Sequence, residues 1–282
     1  MLPVTFVIPV KQKGQIVLDN FLASPCLKNP HPHQILIQEN FTSAAKAYND
    51  AIDKSENDLI VFAHQDVILP EEWINDLERA LACLEADDPK WGVIGCFGEL
   101  QKDREVGYIF SAGRGVLGNP FNRPTEIHTL DELVLIFRRS SGLRFDDNLP
   151  DFHMYGADIC LIARQMGRKN YAISAFCIHN TDQHLVLPSA FYDCCKYMQQ
   201  KWKDFLPIRT TCVTLTKYNV PLYEKRLREL ILEFRGGQKV IAKRTQDVKR
   251  LVEEAESARK RHPTVEFCAG PAPKGLSPSG SP

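Results

Sequence analysis

A chain of 282 residues with 44% hydrophobic and 25% charged content has room for one large soluble domain, or for one domain with an appendage. Its formal charge is zero, which removes the bulk electrostatic case for nucleic acid as a partner. No apolar run approaches the roughly 18 residues that cross a bilayer. The N-terminal run has no basic leader, and the nine scattered cysteines form no Cys-x-x-Cys pair, so the reading is a cytoplasmic protein with reduced thiols.

The β-branched run 4–10 predicts a buried first strand that Pro9 closes, followed by a polar loop over 11–14. Residues 34–38 predict a second strand, with Glu39 and Asn40 just past its end. There Glu39 reads equally as a carboxylate for a ribose or base edge and as a solvated loop acid. Thr42 or Ser43 caps a helix over 43–54. Its apolar positions Ala44, Ala47, Tyr48, Ala51 and Ile52 keep helical spacing, and it carries Asn49 towards solvent or ligand.

Residues 59–70 are the centre of the pattern. Leu59, Ile60, Val61 and Phe62 read as a fully buried strand that ends in His64, Gln65 and Asp66. In an extended chain His64 and Asp66 point one way and Gln65 the other. An imidazole and a carboxylate presented together at the carboxyl end of a strand suggest a metal site for a phosphate-bearing ligand, because open α/β sheets bind ligands at that end. Pro70, Glu71 and Glu72 then start a helix whose face of Trp73, Leu77, Ala80, Leu81 and Leu84 runs to about Glu85.

Beyond it, 93–98 predicts a buried strand. The glycine- and proline-rich stretch 99–130 predicts loops with a short hairpin at 107–117, of the kind that often forms a binding region. A strand over 133–137 follows Asp131 and Glu132. A helix begins near Gly156 and ends at Gly167, with His153, Tyr155 and Asp158 gathered at its N-terminus. Residues 171–178 predict one strand that delivers His179. Strand and helix therefore alternate to residue 180, which argues an α/β sandwich with a largely parallel sheet.

After that the pattern changes to helices: 191–205, 221–235 and 238–260, the last two split at Gly236-Gly237 and rich in interleaved charge. The resulting division is a domain over 1–182, a helical extension over 183–262 and a disordered tail over 263–282. The charged helices read as a solvated face, or as a peripheral membrane or protein contact.

The motifs at 5–10, 48–52 and 62–67, Phe145-Asp146, the run 152–161 and Ile178-His179 occur in an order that resembles the family 2 glycosyltransferases of the GT-A fold. The likeness is greatest to the bacterial StrF-type subgroup and covers about residues 3–182. It implies a GT-A, Rossmann-like sandwich that binds a nucleotide-diphosphate sugar across the carboxyl edge of the sheet. The implied activity is metal-dependent, inverting sugar transfer to a glycan, lipid-linked or small-molecule hydroxyl acceptor. The location is the cytoplasm or the inner face of a membrane.

By position in that family, Asp66, His64 and His179 would hold Mn²⁺ or Mg²⁺. Imidazole with carboxylate favours Mn²⁺, since Mg²⁺ prefers oxygen alone. Pro9, Glu39, Asn40, Gln65 and Asn49 would line the nucleotide pocket. The family's acceptor-side base falls on Gly156, which has no side chain. Asp158 is the nearest surviving acid, with His153 and Asp131 as substitutes. A zinc hydrolase using the same three ligands, a nucleotidyltransferase, and a catalytically impaired nucleotide-sugar or carbohydrate-binding module are the alternatives.

Overall fold

The computed structural model describes residues 2–10, 14–28, 32–100, 104–236 and 240–262; the segment 263–282 and most of the loop 11–14 lie outside them. In chain order the first elements are β1 (Thr5–Val10), α1 (Gln15–Asp19), β2 (Gln34–Glu39), α2 (Ala44–Lys54), β3 (Leu59–Ala63), β4 (Val67–Ile68) and α3 (Trp73–Asp87). Then come β5 (Ile94–Gly95), β6 (Phe97–Leu100), β7 (Arg104–Ser111), β8 (Gly115–Gly118), β9 (Thr125–Ile127), β10 (Thr129–Leu130) and β11 (Val134–Arg138). The remainder is α4 (Tyr155–Gln165), β12 (Asn170–Ala172), β13 (Cys177–His179), β14 (Gln183–His184), α5 (Ser189–Lys201), β15 (Ile208–Arg209), β16 (Thr214–Leu215), α6 (Val220–Phe234), β17 (Val240–Ala242) and α7 (Val248–Arg259).

The main sheet runs β2-β1-β3-β11-β5-β12-β9. β1 pairs in parallel with β2 and β3, whereas β11 runs antiparallel to both of its neighbours, so the sheet is parallel at one side and mixed beyond β3. Continuous apolar runs suit this sheet because both its faces are covered: Phe6, Ile8, Ile60, Phe62 and Phe137 are all fully buried. Pro9 does not close β1. It stays in register opposite Gln38, with Val10 opposite Glu39. β3 pairs with β1 only as far as Val7, so a proline here no longer has to donate to strands on both sides. Helix α2 begins as its sequence demands, with the Ser43 side chain accepting from Lys46 N.

The second sheet, β10-β6-β7-β13-β4 with β8 on β7, is built largely from 97–130, where mostly loops were expected. The β7–β8 hairpin lies where the sequence signalled one. The flanking strands were hidden because they are short and rich in glycine. Gly98, Gly107 and Gly118 let neighbouring strands approach so closely that a Cβ at any of them would lie within 2.6 Å of a partner's atoms. The expected single strand over 171–178 is two strands: β12 belongs to the first sheet and β13 to the second.

The C-terminal part also departs from three plain helices. β17 occupies the start of the expected helix 238–260 and pairs with β14; α7 begins only at Val248, where the Asp247 side chain accepts from Arg250 N at 3.1 Å. Leu251, Ala255 and Ala258 of α7 pack on Ile68, Phe110 and Ile178 of the second sheet and on Phe176 just before β13. α6 differs, since it buries Leu222 but leaves Tyr223, Leu227 and Phe234 exposed.

Candidate functional site

His64 follows β3 directly, and Val67 N donates to His64 O at 3.2 Å. Residues 64–67 are thus a tight turn, not the extended strand end expected from alternation. His64 and Asp66 still converge, because the turn brings residues two apart to one side. β4 then pairs antiparallel with β13, Val67 opposite His179, while Asn180 N donates to Asp66 O at 2.9 Å. That register brings His179 to the turn. One ligand atom from each of His64, Asp66 and His179 lies within 4.8 Å of the others. His179 Nε2 stands 3.4 Å from Asp66 Oδ1.

Burial alone would raise the Asp66 carboxyl. The His179 imidazole, with His64 and Arg244, outweighs it and holds Asp66 down to about 2. Burial pushes the other way on His64, whose imidazole is held below its ordinary value despite the nearby acid, and so it is neutral at pH 7. His64 Nε2 lies 2.8 Å from the Tyr155 hydroxyl. The same hydroxyl lies 3.3 Å from Glu132 O, to which it can donate. The His64–Tyr155 contact leaves Nδ1 as the ring nitrogen for a cation, in a ring held by an outer hydrogen bond as metal-binding histidines usually are. Two imidazoles and an ionised carboxylate fit a borderline divalent cation such as Mn²⁺ better than Mg²⁺.

Two residues that sequence reasoning did not single out complete this edge. Asn180 is fully buried; its amide nitrogen donates to Asn20 Oδ1 and Thr245 O, and its oxygen accepts from Thr245 N. It thereby fixes the C-terminal segment beside the cluster. Arg244, in that segment, donates from N and Nε to Asp182, and its Nη2 lies 4.0 Å from Asp66 Oδ2. Its Nη1 is buried with no hydrogen-bond partner among the described residues. No local pattern could reveal Arg244; only the pairing of β17 with β14 carries it there.

Of the expected nucleotide-side residues, Pro9 and Glu39 lie in the last turn of the β1–β2 ladder, and Asn40 follows in the left-handed region with φ 63°. Gln65 is in the turn between the two ligand residues. The Asn49 side chain donates to Phe145 O and Asp147 Oδ1 and accepts from Phe145 N, and so holds the 145–147 loop.

Among the expected catalytic groups, Asp158 is 1% exposed. Lys201 Nζ donates to both its oxygens at 2.7 and 2.9 Å, and Trp202 Nε1 donates to Oδ1 at 2.6 Å. These three bonds join α4 to α5. His153 packs edge-on against Phe191 and lies near enough to His64 to act on its charge. Asp131 accepts from Thr211 Oγ1 at 2.7 Å and Leu133 N at 3.1 Å, and it too acts on His64.

No family model matches the chain. A Fuscovulum blasticum protein described as ATP synthase subunits region ORF 6 is 33% identical over 161 residues, 55% of this chain and 64% of that one, so the match spans less than two thirds of that relative. Among solved structures, GalNAc-T7 with UDP, GalNAc and Mn²⁺ aligns over 93% of this chain and 58% of its own, at a TM-score of 0.51 and 9% identity. The mannosyltransferase PcManGT from Pyrobaculum calidifontis, in complex with GDP-Man and Mn²⁺, aligns over 90% and 73% at 0.45 and 12% identity. The fold is the α/β GT-A fold.

Proposed function

We propose that this chain is a glycosyltransferase that moves a sugar from a nucleotide-diphosphate donor to a hydroxyl acceptor with a divalent cation. The observation that carries the reading is the cluster of His64, Asp66 and His179 at the strand ends of a GT-A sheet. Asp66, His64 Nδ1 and His179 are the residues that would hold Mn²⁺, or less readily Mg²⁺. When bound, the cation would neutralise charge that builds on the leaving nucleoside diphosphate. Arg244 adds a second positive group beside Asp66 for the same diphosphate. Pro9, Glu39, Asn40 and Gln65 line the nucleotide side.

Transfer with inversion also needs a group to take the acceptor's proton. The carboxyls near His64 are better placed for this than Asp158, whose oxygens are occupied by Lys201 and Trp202. The exposed ridge of Val220, Tyr223, Leu227 and Phe234 on α6 supports a membrane or protein contact through the C-terminal helices. A lipid-linked or glycan acceptor would be met there, at the inner face of a membrane if the protein is cytoplasmic. No helix among the described residues is long and apolar enough to cross one.

The test is release of nucleoside diphosphate from a panel of UDP- and GDP-sugars with Mn²⁺. Unchanged turnover in Asp66→Ala would overturn the metal assignment. A second reading, a nucleotide-sugar-binding module of the same fold, is favoured by the missing side chain at Gly156. It predicts nucleoside-diphosphate binding with Mn²⁺ and no release from any donor.

A further inference from the structure

We propose that Glu132, on the approach to β11, is the catalytic base of this site and takes the acceptor's proton in place of any acid on α4. The inference rests on the transferase reading above.

Four observations converge on Glu132. First, its carboxylate lies over the N-terminus of α4, where Oε1 accepts from Gly156 N at 3.4 Å. Second, it fills the space that a side chain at 156 would need. A Cβ built on Gly156 would stand 3.0 Å from Glu132 Cγ and 2.8 Å from Leu130 O. Glycine at 156 and glutamate at 132 are therefore one arrangement, in which an acid over the helix start is supplied from the turn before β11. Third, Glu132 is tied to the ligand residues. Leu133 O accepts from His64 N at 3.2 Å, and Glu132 O accepts from the Tyr155 hydroxyl that orients His64. Fourth, no ion pair engages it among the described residues. Its helix-end contacts position it without an ion pair, unlike those of Asp158.

The groups around Glu132 fit a proton acceptor. Asp131 lies next to it on its own segment, Tyr155 faces it from α4, Tyr48 from α2, Cys194 and Cys195 from α5, and Cys212 from the β15–β16 turn. None is a cation. Burial first, then the Asp131 charge, push its carboxyl up to about 8, against the pull of the helix N–H groups. An acid tuned towards neutral pH is better matched to taking a hydroxyl proton than an ordinary carboxylate.

In the step, the acceptor O–H bond breaks and its proton goes to a Glu132 oxygen. The acceptor oxygen's electron pair forms the new bond to the anomeric carbon. The bond from that carbon to the diphosphate oxygen breaks, and its pair leaves with the nucleoside diphosphate.

The experiment compares wild type, Glu132→Gln, Glu132→Asp and Gly156→Ala. Each is assayed for Mn²⁺ and UDP or GDP binding by calorimetry, and for hydrolysis of the matching nucleotide sugar with water as acceptor. Glu132→Gln keeps metal and nucleotide affinity within about threefold and loses about 10²- to 10⁴-fold in turnover, the usual worth of general-base catalysis. Glu132→Asp keeps the acid and recovers part of that loss, and Gly156→Ala lowers turnover by crowding Glu132. If wild type turns over and Glu132→Gln does so within threefold, the assignment to Glu132 alone is wrong. If Glu132→Gln loses nucleotide binding as well, Glu132 is structural and the proposal falls. If wild type binds nucleotide yet hydrolyses no donor, the transferase reading fails and takes this proposal with it.

Discussion

His179 Nε2 lies 3.4 Å from Asp66 Oδ1, and the contact exists because β13 runs antiparallel to β4 with His179 directly opposite Val67. The third candidate ligand therefore depends on the junction between the two sheets. His179→Ala should weaken Mn²⁺ binding by at least the roughly 10- to 100-fold that loss of a supporting outer group costs, with the fold unchanged. Titration of the free protein followed by the Mn²⁺ electron-spin resonance signal measures this. Equal affinity in the variant would remove His179 from the ligand set.

Asp158 should behave as a structural anchor. Breaking a buried ion pair typically costs about 3–5 kcal/mol. Lys201 keeps Asp146 as a second partner at 2.7 Å, which puts Asp158→Asn towards or below the lower end of that range. Urea unfolding reads the loss. A variant as stable as wild type but without turnover would return Asp158 to the chemistry.

Glu132 gives a pH signature in the metal-free protein. Its folded-state carboxyl is raised to about 8, above the ordinary 4.5 of an unfolded glutamate. Its contribution to stability is therefore fully present below 4.5 and is lost as pH rises through 8, because the unfolded chain gives up the proton first. Glu132→Gln has no proton to lose, so its stability relative to wild type should climb between pH 5 and pH 9, by on the order of 2–4 kcal/mol. Thermal unfolding across that range checks it. A constant difference between the two proteins would mean that Glu132 titrates as an exposed acid.

Asn180→Ala should cost about 1–3 kcal/mol, because it strands the buried Asn20 amide oxygen and removes the partner of both part-buried backbone groups of Thr245. It should also loosen the segment that carries Arg244. Hydrogen exchange at 243–246 would rise well before global unfolding, and protection equal to wild type would contradict the role given to Asn180.

Arg244→Ala should reduce UDP or GDP affinity in the presence of Mn²⁺ by about tenfold, the equivalent of roughly 1.4 kcal/mol. Affinity for Mn²⁺ alone should change little. Calorimetry with and without nucleotide separates the two, and an unaltered nucleotide affinity would leave the unpartnered Nη1 without a ligand role.

Phe234 is 94% exposed at the end of the α6 ridge. Leu227→Glu on the same ridge should leave stability within about 0.5 kcal/mol, as surface changes do. If the ridge meets a membrane, the change should abolish co-sedimentation with anionic vesicles. Wild-type protein that ignores vesicles would restrict the ridge to a protein contact.

Much of the frame was legible locally. The buried runs at 5–10, 34–39, 59–63 and 134–138 are strands, and Ser43 caps α2, because continuous β-branched stretches and helix caps act over a few residues. The His64–Asp66 pair was legible in composition but not in geometry: a tight turn replaces the pleat, and both give convergence. Less could be read where conformation depends on a distant neighbour. Glycine-rich strands over 97–130 exist only against each other, and 240–242 turned from helix to strand because the edge of β14 was there to pair with. Asn49 and Asp158 are polar residues with acceptable ligand chemistry whose hydrogen bonds are taken by the 145–147 loop, Lys201 and Trp202.

By itself the sequence determined which segments could be buried in a sheet, and that an imidazole and an acid would emerge together after β3. Backbone propensity and side-chain alternation are local, so they survive without a fold. Tertiary structure alone decided that His179 and Arg244 come to Asp66, that Lys201 and Trp202 meet Asp158, and that Glu132 lies in the space above Gly156. Each of these depends on register between strands or helices remote in the chain, and register is set by burying whole faces together rather than by any short run of residues.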